Sequence, residues 1–307
     1  MIFIGPEIED RLDWITLIDA LEAGHRMPRA RIEDAFIPNG DETLLSRAAL
    51  IEGLGAAVKS FTVKPENTKR GLPSVQGAML LFSSETGAVE AVIDSALVTK
   101  WKTAADSVLG ARLLANPDPK SLLIVGAGTV SRSLVEAYKA QFPGIDIAIW
   151  NRTRANAEIL ASELETDVAR DLADAVQSAD IIATATLSHE PILRGEWLHP
   201  GQHLDLIGAY RADMREADDI ALIRSRIFVD ARETTLNHIG ELKNPLEAGV
   251  ITEADVIGDL YDLVTGHSGR QSEDDITLFK NGGGAHLDLM AGRFILEAFR
   301  ASGDRSG

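Results

Sequence analysis

The sequence predicts an α/β fold in which a parallel sheet, covered by helices on both faces, is joined to a second domain of mixed α+β character. Three observations predict it. From residue 121 onward, short apolar runs alternate with helical segments at close spacing, the pattern of strands buried on both faces. One strand-to-helix junction carries two glycines, Gly126-Ala127-Gly128. The first 115 residues or so lack this alternation and show hairpin and loop signals instead.

Taken in order, residues 8–23 have helical spacing of Ile, Leu and Trp. Residues 44–60 mix small and apolar residues with glycines and read as short strands joined by tight turns. Residues 64–73, rich in turn formers, read as a loop. Residues 78–82 and 88–93 read as a hairpin closed by Ser83-Ser84-Glu85-Thr86-Gly87. A helix is expected over 103–114, ended by Asn116-Pro117-Asp118-Pro119. Beyond it, strands are expected at 121–125, 145–150, 181–185, 204–208 and 227–230. Helices fall between them at 130–140, 155–164 and 173–178. The polar end, 302–307, is expected to fray.

Composition narrows the function. The 307 residues suffice for two domains, and 45% hydrophobic with 25% charged residues is ordinary globular usage. Asp plus Glu outnumber Lys plus Arg by 47 to 30, a formal charge of −17, which disfavours nucleic acid as a partner. No cysteine is present, so disulfides, thiolate nucleophiles and Cys-based metal sites are excluded. No apolar run is long enough for a membrane span, and the acidic start does not read as a signal peptide. A soluble cytoplasmic protein is expected. His189-Glu190 is followed by Pro191, which removes the helical zinc motif, and Pro200-Gly201 separate His199 from His203. No metal site is expected. His286 is the histidine most worth placing.

The glycine pair is the strongest local signal. Gly126 permits the tight turn, Gly128 lets the backbone approach a pyrophosphate, and the helix opened by Thr129 and Val130 offers unpaired N–H groups to it. This is the dinucleotide loop of a Rossmann domain, with Ser131 at the sixth position instead of Gly or Ala. After the second strand, an NAD site normally places an acid for the ribose 2′-OH. Here Asn151, Arg152, Thr153 and Arg154 follow instead, groups suited to a 2′-phosphate. NADPH is therefore expected over NADH. Thr184 and Thr186, at the end of a later strand, are expected to line the cofactor.

Seven segments in order then resemble the ornithine cyclodeaminase/μ-crystallin family. They are Arg70-Gly71-Leu72-Pro73-Ser74-Val75-Gln76-Gly77, Thr99-Lys100-Trp101-Lys102-Thr103-Ala104-Ala105, the glycine loop, Trp150-Asn151-Arg152-Thr153, Ala179-Asp180-Ile181-Ile182, Glu196-Trp197-Leu198-His199-Pro200-Gly201 and Thr277-Leu278-Phe279-Lys280. The resemblance implies a substrate-binding and dimerisation domain over 1–115, completed by a C-terminal helix at about 288–307. It implies a Rossmann NADP-binding domain over 116–287, and a homodimer. It implies that Lys59, Lys102 and Arg29, with Arg31 as the alternative to Arg29, bind the substrate. Lys59 is also the candidate catalytic residue, to hydrogen-bond or protonate an imine nitrogen, with anchoring of a carboxylate as the alternative role. It also implies that Thr103, Asn281 and Gly282 lie at the cofactor.

Two departures from the family bear on the chemistry. Lys102 stands where the family usually has Arg, keeping charge but losing the bidentate fork. Tyr210 stands where cyclodeaminases and alanine dehydrogenases carry an Asp. Ornithine cyclisation must hold and deprotonate an ammonium, which favours a carboxylate there; reduction of a preformed imine does not need one. Segments 101–107, 233–238 and 280–286 resemble the bacterial Δ1-pyrroline-2-carboxylate reductases. The implied reaction is NADPH-dependent reduction of that small cyclic imino acid to L-proline, and of its six-membered homologue to L-pipecolate, in trans-3-hydroxy-L-proline degradation. The alternatives are an ornithine cyclodeaminase or amino-acid dehydrogenase, and a non-catalytic NADPH-binding crystallin-like protein.

Overall fold

In the computed structural model of the chain, residues 1–303 are described; 304–307, the end of the tail expected to fray, lie outside the described residues. The chain divides into two compact units. One is Met1–Lys102 with the segment from Gly283 onward, and the other is Thr103–Gly282. The division falls inside a helix, α2, instead of after it at 115/116, because Ser95–Leu114 is continuous.

The first unit is a six-stranded sheet with helices against one face. Its elements are β1 (Ile2–Ile4), α1 (Trp14–His25), β2 (Arg31–Asn39), β3 (Glu42–Ile51), β4 (Gly55–Val63), β5 (Val75–Phe82), β6 (Val89–Asp94) and the start of α2. The strand order is β1-β6-β5-β4-β3-β2, antiparallel except for β1 against β6. The helix expected over 8–23 starts later, because Leu12 is extended and the Asp13 side chain accepts from Thr16 N, capping α1 at Trp14. A 3₁₀ turn, Pro6–Arg11, precedes it, and another, Pro65–Arg70, occupies the expected loop.

The short strands expected over 44–60 are two long ones. The glycines fall together in one turn, with Gly53 at φ +86° and Gly55 at φ +112°. The expected hairpin is β5 and β6. α2 begins at Ser95 and not at Thr103, because Asp94 Oδ1 accepts from Ala96 N and Leu97 N. β2 escaped the sequence reading: most of it is exposed, and Pro38 argues against a strand except at an edge, which β2 is.

The second unit holds β7 (Ser121–Val125), α3 (Thr129–Gln141), β8 (Asp146–Trp150), α4 (Arg154–Leu164), β9 (Asp167–Val168), α5 (Leu172–Ser178), β10 (Ile181–Thr184) and β11 (His203–Leu206). It continues through α6 (Asp219–Arg224), β12 (Arg226–Val229), α7 (Arg232–Thr235), α8 (Gly240–Glu247), β13 (Val256–Asp259), α9 (Leu260–Val264) and β14 (Thr277–Lys280). All pairings are parallel, in the order β13-β12-β14-β11-β10-β7-β8-β9. The chain starts in the middle at β7 and winds outward in both directions, so β7 and β10 flank the switch point where doubly wound sheets bind ligands. β7, β10 and β11 are almost wholly buried; the first two are largely apolar runs, whereas β11 buries His203 and Asp205. The last element, α10 (Ala285–Gly303), belongs to the first unit.

α10 covers the inner face of the first sheet, packing on β2, β3, β4 and β5. Glycines let it approach. A Cβ on Gly292 meets Met79 Cε at 2.1 Å, and one on Gly24 of α1 meets Met290 Sδ at 2.6 Å. Among the described residues, no helix is long and apolar enough to cross a membrane.

Candidate active site

The carboxyl edge of the parallel sheet collects most of the residues expected at a cofactor. Gly126 follows β7 at φ +123°, and a Cβ there meets Ala185 O at 2.6 Å. Gly128 caps α3, and a Cβ there meets no protein atom within 4 Å, so the space in front of the helix N-terminus is open. Thr129 is exposed, Val130 is half-buried, and no acid occupies the first turn of α3. Unpaired N–H groups and the positive helix end therefore face open space, a cradle that fits a pyrophosphate.

Val125 and Trp150 are paired, so the segment after β8 emerges beside this loop. Asn151 Nδ2 donates to Thr153 O at 2.9 Å and shapes the turn. Arg154 is paired with Glu158 across one helical turn, whereas Arg152 makes no ion pair among the described residues and is exposed beside Thr153.

Thr184 and Thr186 play a different part from the one expected. Both hydroxyls donate to the buried Glu216, at 2.8 and 2.7 Å, and Thr184 is fully buried. The same carboxylate accepts from Thr186 N and Gly208 N. Glu216 thus ties the loops after β10 and β11 together from beneath. Gly208 is required there, because a Cβ would lie 2.0 Å from Thr186 O. The sequence reading missed Glu216, whose partners are far from it along the chain. Asn281 is likewise inward: it is buried, and Nδ2 donates to Thr103 O and to Ser107 Oγ, each at 3.0 Å. Gly282 N donates to Asp230 Oδ2 at 3.0 Å. Thr103, Asn281 and Gly282 therefore form one group at the end of β14.

The first unit holds a buried charged cluster. Antiparallel register sets Asp34, Arg47, Lys59, Met79 and Ile93 in one row across β2 to β6, all on the face covered by α10. Lys59 Nζ lies 2.7 Å and Lys102 Nζ 2.8 Å from the same oxygen, Asp288 Oδ1. Lys102 also donates to Gly283 O at 2.7 Å, and Lys59 to Thr99 Oγ1 at 3.3 Å. Arg47 forks onto Asp34 and donates to Gly283 O at 2.6 Å. The three members Lys59, Lys102 and Asp288 are at most 3% exposed. Burial pulls the Lys59 pKa down from 10.5 to about 7, against the opposing pull of Asp288. Asp288 is held at about 2, the lysines and Arg47 outweighing its burial.

Arg47 is the residue that sequence reasoning missed in this cluster. Arg29 and Arg31 line a cavity of about 630 Å³ with Leu50, Glu52 and Phe82. Arg29 lies just before β2, whereas Arg47 is placed next to Lys59 by strand register. The signal for Arg47 was parity: it alternates with Ala49 and Ile51, which are buried. His286, on α10, is fully buried with its ring edge-on to His25, centroids 5.3 Å apart. Tyr210 is exposed in a loop of the second unit, followed by the Arg211–Asp213 pair. Neither nearby Asp replaces the missing carboxylate: Asp205 is buried in β11 against Tyr138 Oη at 3.1 Å, and Asp213 is engaged by Arg211. Among the described residues, no group of three or more His, Asp or Glu is placed to hold a metal ion.

Comparison with known proteins agrees with this geometry. The profile of the ornithine cyclodeaminase/mu-crystallin family matches residues 39–303. The chain belongs to that family. The Delta(1)-pyrroline-2-carboxylate reductase of Paracoccus denitrificans is 55% identical over 292 residues, covering 93% of this chain and 92% of its own length. The structure is similar to that of Thermococcus litoralis Delta(1)-pyrroline-2-carboxylate reductase, solved with NADH and L-proline, at a TM-score of 0.90 and 28% identity. That match covers 99% of this chain and 98% of the other. An archaeal alanine dehydrogenase dimer with bound NAD gives a TM-score of 0.92 at 26% identity, over 99% and 97% of the two chains.

The shared glycine loop yields a test that separates stability from binding. Gly126→Ala forces a Cβ onto a carbonyl at positive φ and is expected to cost about 1–3 kcal/mol of stability along with cofactor affinity. Gly128→Ala has room in the protein and is expected to keep the melting temperature while weakening reduced-dinucleotide binding about tenfold. Thermal melts and nicotinamide fluorescence titrations read the two effects; equal melting losses would contradict the open cradle.

Proposed function

We propose that this chain is a nicotinamide-dependent imine reductase acting on a small cyclic 2-imino acid, Δ1-pyrroline-2-carboxylate and its six-membered homologue. The observation that carries the reading is the cluster of half-buried Arg47 and buried Lys59 and Lys102 with two carboxylates, Asp34 and the buried Asp288. With all five groups charged, one positive charge is left over, matching a substrate with one carboxylate. Arg47 and Lys102 anchor that carboxylate. The Paracoccus relative's name and the proline bound to the Thermococcus enzyme support the same substrate class.

Bound reduced nicotinamide supplies the hydride that goes to the imine carbon. Lys59 supplies the proton that goes to the imine nitrogen: its N–H bond breaks as the new N–H bond forms, and the neutral amine regains a proton from water. A group with a pKa near the working pH suits such a transfer. Tyr210 in place of an acid speaks for reduction of a preformed imine over ornithine cyclisation. The setting in trans-3-hydroxy-L-proline degradation and in the cytoplasm rests on the family resemblance.

For the cofactor we propose NADPH, read by Arg152 and Thr153 at a 2′-phosphate, although the two structural relatives named above carry NADH and NAD. For the assembly we propose a homodimer. The outer face of the first sheet presents Ile37, Leu44, Leu50 and Leu80, all more than a third exposed, which a second copy would cover.

Three measurements test these statements. Lys59→Met is expected to lower turnover of Δ1-pyrroline-2-carboxylate by about 10²-fold or more with cofactor affinity retained; unchanged turnover removes Lys59 from the chemistry. Arg152→Ala is expected to weaken NADPH about tenfold or more and leave NADH near its original affinity, since only the former carries the 2′-phosphate. Equal losses refute the preference. Sedimentation equilibrium is expected to give twice the chain mass, and Leu50→Glu with Leu80→Glu to give the monomer; a monomeric wild type ends the dimer proposal.

A further inference from the structure

One oxygen of Asp288 carries two ammonium groups. Lys59 and Lys102 approach it at 2.7 and 2.8 Å, and Oδ2 has no hydrogen-bond partner among the described residues. The two lysines are not equivalent. Lys102 also donates to the Gly283 carbonyl, whereas the further contacts of Lys59 are a long hydrogen bond to Thr99 and the Phe61 ring, 5.6 Å from Nζ. Lys59 therefore relies on Asp288 for its close polar contacts more than Lys102 does. We propose that Asp288 is a positioning residue of the reaction, the shared anion that lets two ammonium groups stand side by side and keeps Lys59 in its proton-donating form. This rests on the reading of Lys59 as the proton donor.

The electrostatics follow from who faces Lys59. α10 contributes Asp288 and His286, α2 contributes Lys102 and the Thr99 hydroxyl, and β3 contributes Arg47, itself paired with Asp34 of β2. His25 of α1 lies behind His286. Burial, Lys102 and Arg47 all act to strip the proton from Lys59; Asp288 acts to retain it. His286 is kept neutral by burial and by its cationic neighbours, so it adds no charge. Asp288 is held ionised and does not carry the transferred proton itself. Its contribution is to place Lys59 and to set the pH at which Lys59 still has a proton to give.

The experiment is the pH profile of kcat/KM for Δ1-pyrroline-2-carboxylate at saturating reduced cofactor. A donor active in its protonated form gives activity that falls as pH rises through its pKa, here near 7. Asp288→Asn removes the retaining charge, so this limb is expected to move to lower pH by about 1–3 units. Lys102→Met removes a repelling charge, so the limb is expected to move to higher pH. The double variant removes both charges and is expected to return it towards the wild-type position, and it leaves no uncompensated pair should Asp288→Asn alone fail to fold. Asp288→Glu keeps the charge and is expected to keep the limb while kcat falls. Dinucleotide affinity, measured on every variant, is expected to be unchanged.

A limb that stays in place in Lys102→Met and in whichever Asp288 variants fold overturns the proposal, since a purely structural role predicts no opposed shifts. Lys59→Met separates this failure from failure of the underlying reading. If the limb persists without Lys59, another group titrates and Lys59 is not the donor. If it vanishes with Lys59 yet ignores Asp288 and Lys102, only the positioning role falls.

Discussion

Two ammonium groups are buried beneath α10 beside a half-buried guanidinium, and every neighbouring element is arranged around that burden. An unpaired charge at such depth destabilises a fold by about 3–5 kcal/mol, so each cation needs a named counterpart. Asp288 serves both lysines, Asp34 serves Arg47, and the Gly283 carbonyl accepts from Arg47 and Lys102. These partners come from β2, from the turn before α10 and from α10 itself, so the helix cannot shift without stranding a charge. Glycines at 24 and 292 let α1 and α10 close down on the sulfurs of Met290 and Met79, sealing the cluster with apolar atoms. Packing and electrostatics are thus one constraint: tight closure lowers the dielectric, and the low dielectric makes the shared carboxylate indispensable.

The second unit solves a related problem with neutral partners. The carboxyl edge of a parallel sheet ends in loops whose backbone groups lack ladder partners, yet these loops must hold their shape for a ligand to meet them. Glu216 collects donors from Thr184, Thr186 and Gly208, and its own N–H is taken by Glu241 Oε2. Asp230 does the same for Thr235 and Gly282. The residues in reach of a ligand therefore stand on a buried layer of carboxylates that never leaves the protein. Lys280, buried beneath, donates to Leu206 O and Asn281 O and balances that negative layer.

This division into a contacting layer and a supporting layer explains what could be read from the sequence. The Rossmann elements were legible because strands buried on both faces are continuous apolar runs, and because Gly126 needs a positive φ that few other residues tolerate. The first unit was less legible, since β2 and β3 keep one face open and their patterns mix. Lys59 and Lys102 could be named from the family resemblance, but Arg47 could not, because only register sets it beside Lys59. Thr184 and Thr186 lie at the carboxyl edge as expected, but their hydroxyls are turned to Glu216, a direction that polarity in sequence does not show. Glu216 and Asp288 were invisible for the same reason, since a buried carboxylate is recognised only by partners brought from distant segments.

Lys59 and Asp288 can be understood through proton accounting. Oxidising an amine requires a base for its ammonium; reducing an imine requires an acid for its nitrogen. Asp288, kept ionised near 2, is too weak a base for the first task. Lys59, poised near 7, can do the second below that pH and accept a proton above it. A group poised near 7 gives up its proton most readily below that pH. The reductive direction consumes a proton, so each unit of acidification favours it about tenfold in equilibrium as well.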